Sequence, residues 1–322
     1  MREAMFRSAT IMRRSFVLAG ASAALAACVA PRAPVTDEAA EAEYPPLGRR
    51  FGPEGRRVHA TDEGRGDGPP VILIHGASGN VRDWTFSIAP RLAASRRVIA
   101  MDRPGFGYSE RSEGEQSWRP AAQAAQLREA AREMGAEKPI LVGHSWGASV
   151  ALAWALDAPD EVSGVVAVSG VTMPWGGVAP VFDALGFGPL IATAYNRRLV
   201  NTAESGGAER FIARAFRPQE PPAGYLDYVG APLAVREKTL KANGADLANT
   251  NRGVGEIAAR YGELRVPVVS LHGDADWLLG IRQHGAEFAE ATGARFVPLP
   301  GVGHMAHHAA TDRLIDAVAG IA

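Results

Sequence analysis

Cysteine is all but missing from this 322-residue chain, since Cys28 is the only one. That excludes an internal disulfide and any metal site built on cysteine. Strong charge of either sign is missing too. Lysine and arginine number 34 against 35 acidic residues, for a formal net charge of −1. The charges are dispersed, so no basic surface is offered and nucleic acid is not an expected partner. The apolar stretch from Ser15 to Ala27 is too short to cross a bilayer as a helix. There is no internal repeat, no metal-ligand cluster and no phosphate-cradling loop, so no cofactor is expected. What remains is ordinary globular composition, 47% hydrophobic and 21% charged. It suffices for one large core or two small ones.

Residues 1–28 read as a processing signal rather than as fold. Arg13-Arg14 supplies a charged region, an apolar stretch follows, and Leu25-Ala26-Ala27-Cys28 closes it. The closing residues resemble a bacterial lipobox, which implies lipidation of Cys28 and a membrane anchor there. A plain secretory signal is the alternative. Arg13-Arg14-Ser15-Phe16-Val17 resembles a twin-arginine export signal. Either resemblance implies export to the bacterial cell envelope, with the lipid-anchored form on the periplasmic side. The arginine pair lies well inside the chain, so Met5 and Met12 are alternative starts. Residues 29–50 are rich in Ala, Pro and Glu and are expected to be a tether.

Beyond them, buried strands and helices alternate. Arg56 to Ala60 is a weakly alternating strand, expected to be antiparallel. Val71-Ile72-Leu73-Ile74 and Val98-Ile99-Ala100-Met101 are fully apolar, as strands covered on both faces are. Between them, Trp84, Ile88 and Leu92 fall at helical spacing within Arg82 to Ala94. Arg119 to Met134 is a second helix, and Val162 to Ser169 a further strand. The alternation predicts an α/β fold with a mostly parallel, doubly wound sheet. From Pro174 to about Thr250 the rhythm breaks. Seven prolines chop helical patches that hold no apolar strand, which predicts an inserted helical lid over 173–250. Its aromatics are expected to form mostly the lid's own small core, with a few near Trp175 and Phe182 facing a substrate. The core is assigned to 51–172 and 251–322. It resumes with the strand Val266 to Leu271, a helix from Ile281 to Thr292, the strand Arg295 to Leu299 and a last helix from Thr311.

The polar, glycine-bearing segments sit at strand ends, where ligands bind in such sheets. Chief among them is Gly143-His144-Ser145-Trp146-Gly147, between the strand Pro139-Ile140-Leu141-Val142 and a helix. This is the G-x-S-x-G elbow pattern, which lifts a serine hydroxyl above the sheet edge. A serine needs a base, and the base needs a partner to fix its tautomer. His304, in Pro300-Gly301-Val302-Gly303-His304-Met305, is the candidate base, ahead of His307 and His308. Asp276 is the candidate acid, with Asp274 as its competitor. One helix and one strand separate Asp276 from His304, which returns both to the edge that bears Ser145.

With these motifs in view, the chain resembles the alpha/beta-hydrolase fold superfamily from about Arg56 onward. The resemblance rests on His75-Gly76 with Trp84, Asp102-Arg103-Pro104-Gly105-Phe106-Gly107-Tyr108-Ser109, the elbow, Gly273-Asp274-Ala275-Asp276 and Gly301-Val302-Gly303-His304. It implies that Ser145, Asp276 and His304 form a catalytic triad and that the backbone N–H groups of Ala77 and Trp146 form an oxyanion hole. It also implies that Asp102 and Arg103 brace the strand-end loop, and that His75 and His144 lie beneath the site. Haloalkane dehalogenases and soluble epoxide hydrolases of this fold carry aspartate at the elbow, and the serine here argues against both. The expected activity is hydrolysis of an ester-like bond in a small to medium, largely apolar substrate through an acyl-enzyme. Carbon–carbon bond hydrolysis, cofactor-free perhydrolysis and a non-catalytic ligand-binding role are the alternatives.

Overall fold

Runs such as Val71-Ile72-Leu73-Ile74 carry no polar side chain and need apolar partners on both faces. The computed structural model describes residues 35–114, 116–176, 188–203 and 207–321, and it supplies those partners. The strands are β1 (Arg49–Phe51), β2 (Val58–Ala60), β3 (Val71–Ile74), β4 (Val98–Met101), β5 (Ile140–His144), β6 (Gly164–Val168), β7 (Val268–Gly273) and β8 (Arg295–Leu299). They form one sheet in the order β1-β2-β4-β3-β5-β6-β7-β8. β1 and β2 pair antiparallel, β2 meets β4 antiparallel, and every other pairing is parallel.

Side chains alternate between faces along a strand, and the two cores divide accordingly. Val71 and Leu73, Ile140 and Val142, Val166 and Val168 pack on one face with Trp84, Ile88 and Leu92. Ile72 and Ile74, Leu141, Val165 and Ala167 pack on the other with Leu127, Val150 and Trp154. The helix Trp146–Asp157 that follows β5 is buried from Trp146 through Leu156. That is what a helix without a polar face requires. Arg82 to Ala94 is two short helices, Arg82–Thr85 and Ile88–Ala93, separated where Ser87 leaves helical geometry at φ −153°. The break keeps Trp84, Ile88 and Leu92 on one face. Likewise Ile281 to Thr292 begins as a wider π turn over Arg282–Glu287 before the helix Phe288–Thr292.

Between β6 and β7 the described residues hold no strand, only helices, turns and one isolated bridge from Arg236 to Val35. The helices are Gly188–Ala203, Gly207–Phe216, Tyr225–Val229, Ala231–Ala234, Glu237–Ala248 and Thr250–Ala258, followed by the turn Tyr261–Glu263. The last of these helices is seated on the core, where Val254 and Ile257 join Trp154. The others build the insertion. Its aromatics form two small clusters, Tyr195 with Phe211 and Phe216 with Tyr225, but the second takes in Phe86 and Met305 of the core, so it is not the insertion's own. Phe182 lies outside the described residues.

The expected tether over 29–50 needs correction from Val35 onward. Asp37–Glu43 is a helix whose Thr36 side chain accepts the Ala39 N–H at 3.2 Å. Ala40 is fully buried, Asp37 pairs with buried Arg236 at 3.2 Å, and Arg82 donates to the Pro45 carbonyl at 2.7 Å. Tyr108 donates its hydroxyl to the Tyr44 carbonyl. Composition alone suggested a solvated linker. The small Ala40, the ring of Tyr44 and the charge of Asp37 give the segment a docked face instead. The signal assigned to 1–28, Cys28 included, and the rest of the tether lie outside the described residues.

Candidate active site

β3 and β5 are neighbours, and β3 separates β5 from β4, so the chain's progress across the sheet reverses there. The loops leaving the ends of β3 and β5 open the crevice that such a reversal creates. Ser145 stands at the end of β5 with φ 52° and ψ −119°. A non-glycine residue there is strained by on the order of 1–3 kcal/mol and persists only when its surroundings over-determine it. They do. The Ser145 N–H donates to the Val168 carbonyl at 3.0 Å, and the Ser145 carbonyl accepts the N–H groups of Val171 and Ala148. The flanking glycines are forced by space. A Cβ on Gly143 would lie 2.4 Å from the Gly147 carbonyl oxygen, and one on Gly147 would lie 2.2 Å from the Ile74 carbonyl oxygen.

His304 reaches the serine from the loop after β8, with Nε2 3.1 Å from Ser145 Oγ. Its Nδ1 lies 2.8 Å from Asp276 Oδ2, on the turn after β7. An ionised carboxylate only accepts, so Nδ1 carries the proton and Nε2 turns its lone pair to the serine hydroxyl. Asp276 Oδ1 accepts the N–H groups of Leu278 and Leu279 at 2.9 and 3.0 Å. Burial opposes the Asp276 charge. Hydrogen bonds from His272 and His304, the attraction to His304 when it is protonated and the Leu279 N–H overcome it and hold the carboxyl well below the usual range. Asp274 turns elsewhere and accepts the Gly301 N–H at 2.7 Å.

Ala77 and Trp146 line the same cavity as Ser145 and His304. Trp146 opens its helix, so its N–H has no intrahelical acceptor, and the helix dipole favours negative charge beside it. The cavity measures about 590 Å³. Trp175, Ile191, Leu199, Phe211 and Leu279 give it apolar walls, and no lysine or arginine is among its described lining residues.

Asp102 and Arg103 sit at the end of β4. Asp102 accepts the Val81 N–H at 2.7 Å, the Tyr108 N–H at 2.8 Å and the His59 Nδ1–H at 2.7 Å. His75 donates Nδ1–H to the Gly76 carbonyl at 2.8 Å and accepts the Arg103 N–H on Nε2 at 2.9 Å. Burial, then the nearby Arg103 charge, pushes the His75 pKa down to about 4, so the ring is neutral.

His307 and His308 bond Asp83, a residue with no sequence signal of a site, rather than Ser145. Asp83 accepts from Tyr225 Oη at 2.7 Å, His308 Nε2 at 2.9 Å and His307 Nε2 at 3.1 Å. Burial resists the Asp83 charge, but the His307 charge and the bonds from His307 and His308 keep the carboxyl well below its usual range. Ligand-capable atoms of Asp83, His144 and His307 lie within 4.8 Å of one another. No local spacing signals this cluster, because the fold gathers it from three distant segments. As it stands, Asp83, His307, His308 and Tyr225 form a hydrogen-bonded network, and His144 lies beside it with Nε2 3.1 Å from the His304 carbonyl oxygen. The network's donors include Tyr225 of the insertion, so it ties the insertion to the floor of the cavity.

Against known proteins, the family profile described as alpha/beta hydrolase fold matches residues 69–310. Epoxide hydrolase B of Mycobacterium tuberculosis (strain ATCC 25618 / H37Rv) is 34% identical over 125 residues, 38% of this chain and 34% of that protein. The 2-hydroxymuconate semialdehyde hydrolase of Pseudomonas sp. (strain CF600) is 36% identical over 172 residues, 49% of this chain and 58% of that protein. These matches therefore span between about a third and three fifths of the relatives' lengths. Among solved structures, the 2-hydroxy-6-oxo-6-phenylhexa-2,4-dienoate hydrolase from Rhodococcus sp. strain RHA1 superposes with a TM-score of 0.69. It is 22% identical, and the match covers 85% of this chain and 98% of that one. At that identity the likeness speaks for the fold alone.

Proposed function

The chain belongs to the alpha/beta hydrolase fold family, and from that premise we propose that it is a serine hydrolase acting through an acyl-enzyme on a small to medium, neutral and largely apolar ester. The observation that carries the reading is the unbroken hydrogen-bond chain from Asp276 through His304 to Ser145, opening on an apolar cavity. His304 Nε2 takes the serine proton as Oγ adds to the substrate carbonyl. The N–H groups of Ala77 and Trp146 stabilise the oxyanion, and Asp276 holds the imidazolium. The proton passes from Nε2 to the leaving alkoxide, and the alcohol departs. Water, deprotonated by the same nitrogen, then adds to the acyl carbon, and as the acyl–Oγ bond breaks Nε2 returns that proton to Ser145 Oγ and the acid is released.

Serine at the elbow speaks against epoxide opening by an elbow carboxylate, despite the partial likeness to an epoxide hydrolase. The absence of lysine and arginine from the described lining favours a neutral substrate, since nothing there would compensate a buried anion. Carbon–carbon bond hydrolysis with the same three residues is the second reading, favoured by the likeness to the semialdehyde hydrolase. A panel of p-nitrophenyl esters and a vinylogous 1,5-diketone separates the two. Ester turnover that Ser145→Ala abolishes supports the first reading, and diketone cleavage without ester turnover supports the second. The sequence pattern at Leu25–Cys28 further supports export and lipid anchoring through Cys28. Palmitate incorporation that Cys28→Ala removes is the expected outcome.

A further inference from the structure

We propose that helix Glu237–Ala248 of the insertion is a positioning element for the oxyanion loop. Asn243 and Asp246 on its inner face fix the two peptide planes that flank Ala77. The proposal rests on the serine-hydrolase reading and adds that the insertion, as well as the core, sets the oxyanion site.

Peptide geometry couples the Gly76 carbonyl to the Ala77 N–H. The Gly76 carbonyl and the Ala77 N–H belong to one planar trans unit and point in opposite directions. Whatever holds the Gly76 oxygen therefore aims the Ala77 N–H. Three donors hold it: the His75 Nδ1–H at 2.8 Å, the Gly79 N–H at 3.4 Å and Arg103 Nη2 at 3.2 Å, and Arg103 Nε also braces the His75 oxygen at 3.0 Å. A cation on the carbonyl also polarises the peptide and strengthens its N–H as a donor. The next plane joins Ala77 to Ser78, and its N–H donates to Asn243 Oδ1 at 3.1 Å. Ser78 has φ 57°, a left-handed conformation that needs outside support. Its hydroxyl also meets the Tyr195 hydroxyl of the insertion at 3.3 Å.

The Arg103 and Asn243 holds trace back to one helix face. Arg103 donates to Asp246 Oδ2 at 2.7 Å. Thr239, Ala242, Asn243 and Asp246 form the buried stripe of that helix, at spacings of three and four residues. Asn243 is itself fixed, because its amide donates to Asn196 Oδ1 at 3.1 Å and Asn196 donates to the Leu240 carbonyl at 2.7 Å. The loop has little stiffness of its own, with Gly76 and Gly79 on either side of Ala77 and Ser78. It also stands close to the nucleophile, since a Cβ on Gly76 would lie 3.0 Å from Ser145 Cβ.

The test compares wild type, Asn243→Leu and Asp246→Asn on p-nitrophenyl butyrate, with affinity for an aryl trifluoromethyl ketone as a second readout. A misaimed donor weakens the transition state and leaves ground-state binding alone. The expected result is kcat lower by about tenfold to a hundredfold with KM within about twofold, less than outright deletion of a donor costs. The inhibition constant of the ketone, whose adduct carries the oxyanion, rises by the same factor. Unchanged kcat in both folded variants overturns the proposal, and so does a rise in KM that accounts for the whole loss. Should Asn243→Leu not fold, Asn243→Ala carries the same comparison. Fluorophosphonate labelling of wild-type Ser145 separates the two layers. Failure to label sinks the serine-hydrolase reading, whereas labelling with undiminished kcat in the variants sinks only the role of the helix.

Discussion

Deleting the Asp246 carboxylate leaves a cation stranded in the interior. Arg103 is fully buried and Asp246 nearly so, with the pair at 2.7 Å. Without Asp246 the guanidinium keeps Gln123 Oε1 at 2.8 Å and two backbone carbonyls, but no anion. Breaking a buried pair by removing one partner typically destabilises by about 3–5 kcal/mol. At about 2 °C per kcal/mol for a domain of this size, Asp246→Ala lowers Tm by about 6–10 °C. Arg111 contacts the other oxygen of the same carboxylate at 2.7 Å but reaches solvent. Its substitution by Met leaves Asp246 still paired with Arg103, and the loss is about 1 kcal/mol. Urea unfolding of wild type, the single variants and the Arg103→Met/Asp246→Ala double variant gives the coupling energy directly. A loss below about 1 kcal/mol for Asp246→Ala, or equal losses for Asp246→Ala and Arg111→Met, refutes the reasoning.

Three further outcomes follow from the same geometry. Tyr225→Phe removes a 2.7 Å donor from the buried, ionised Asp83 and lowers unfolding free energy by about 1.5–3 kcal/mol in urea titrations. Gly147→Ala forces a Cβ to 2.2 Å from the Ile74 carbonyl oxygen, so the protein is expected to be insoluble or to melt many degrees lower by calorimetry. His75 and His284 are both pushed down to about 4 in the fold from the ordinary 6.5, chiefly by burial. Between about pH 6.5 and pH 4 the unfolded chain binds protons that the folded chain does not. Stability is therefore full above pH 6.5 and falls as the pH drops through that window. His284→Gln flattens part of the slope when Tm is measured against pH.

The core was legible because it obeys short periods. Fully apolar runs mark strands covered on both faces, and the residues between them that carry Gly, Asp and His fall at strand ends. Ser145, Asp276 and His304 could be named because each closes such a run, and in the fold they share one hydrogen-bond chain. What escaped the reading has no local signature. Asn243 and Asp246 look like ordinary polar residues of an alanine-rich helix, and only the helix's seat against the ends of β3 and β4 makes them neighbours of Ser78 and Arg103. Asp83 gained its meaning from His307, His308 and Tyr225, residues far along the chain. The docked segment after Val35 misled because its composition matches a linker, while its anchoring depends on Arg236, Tyr108 and Arg82 elsewhere.

The central claim is that Ser145 carries the acyl group between two half-reactions. Rapid-quench mixing with p-nitrophenyl butyrate, followed by intact-protein and peptide mass analysis, tests it most directly. A p-nitrophenolate burst that approaches the enzyme concentration is expected when deacylation is slowed at low pH. A butyryl adduct is expected on the peptide that contains Ser145, and none in Ser145→Ala. Ester turnover at wild-type rate by Ser145→Ala, or an adduct on any other residue, would contradict the claim.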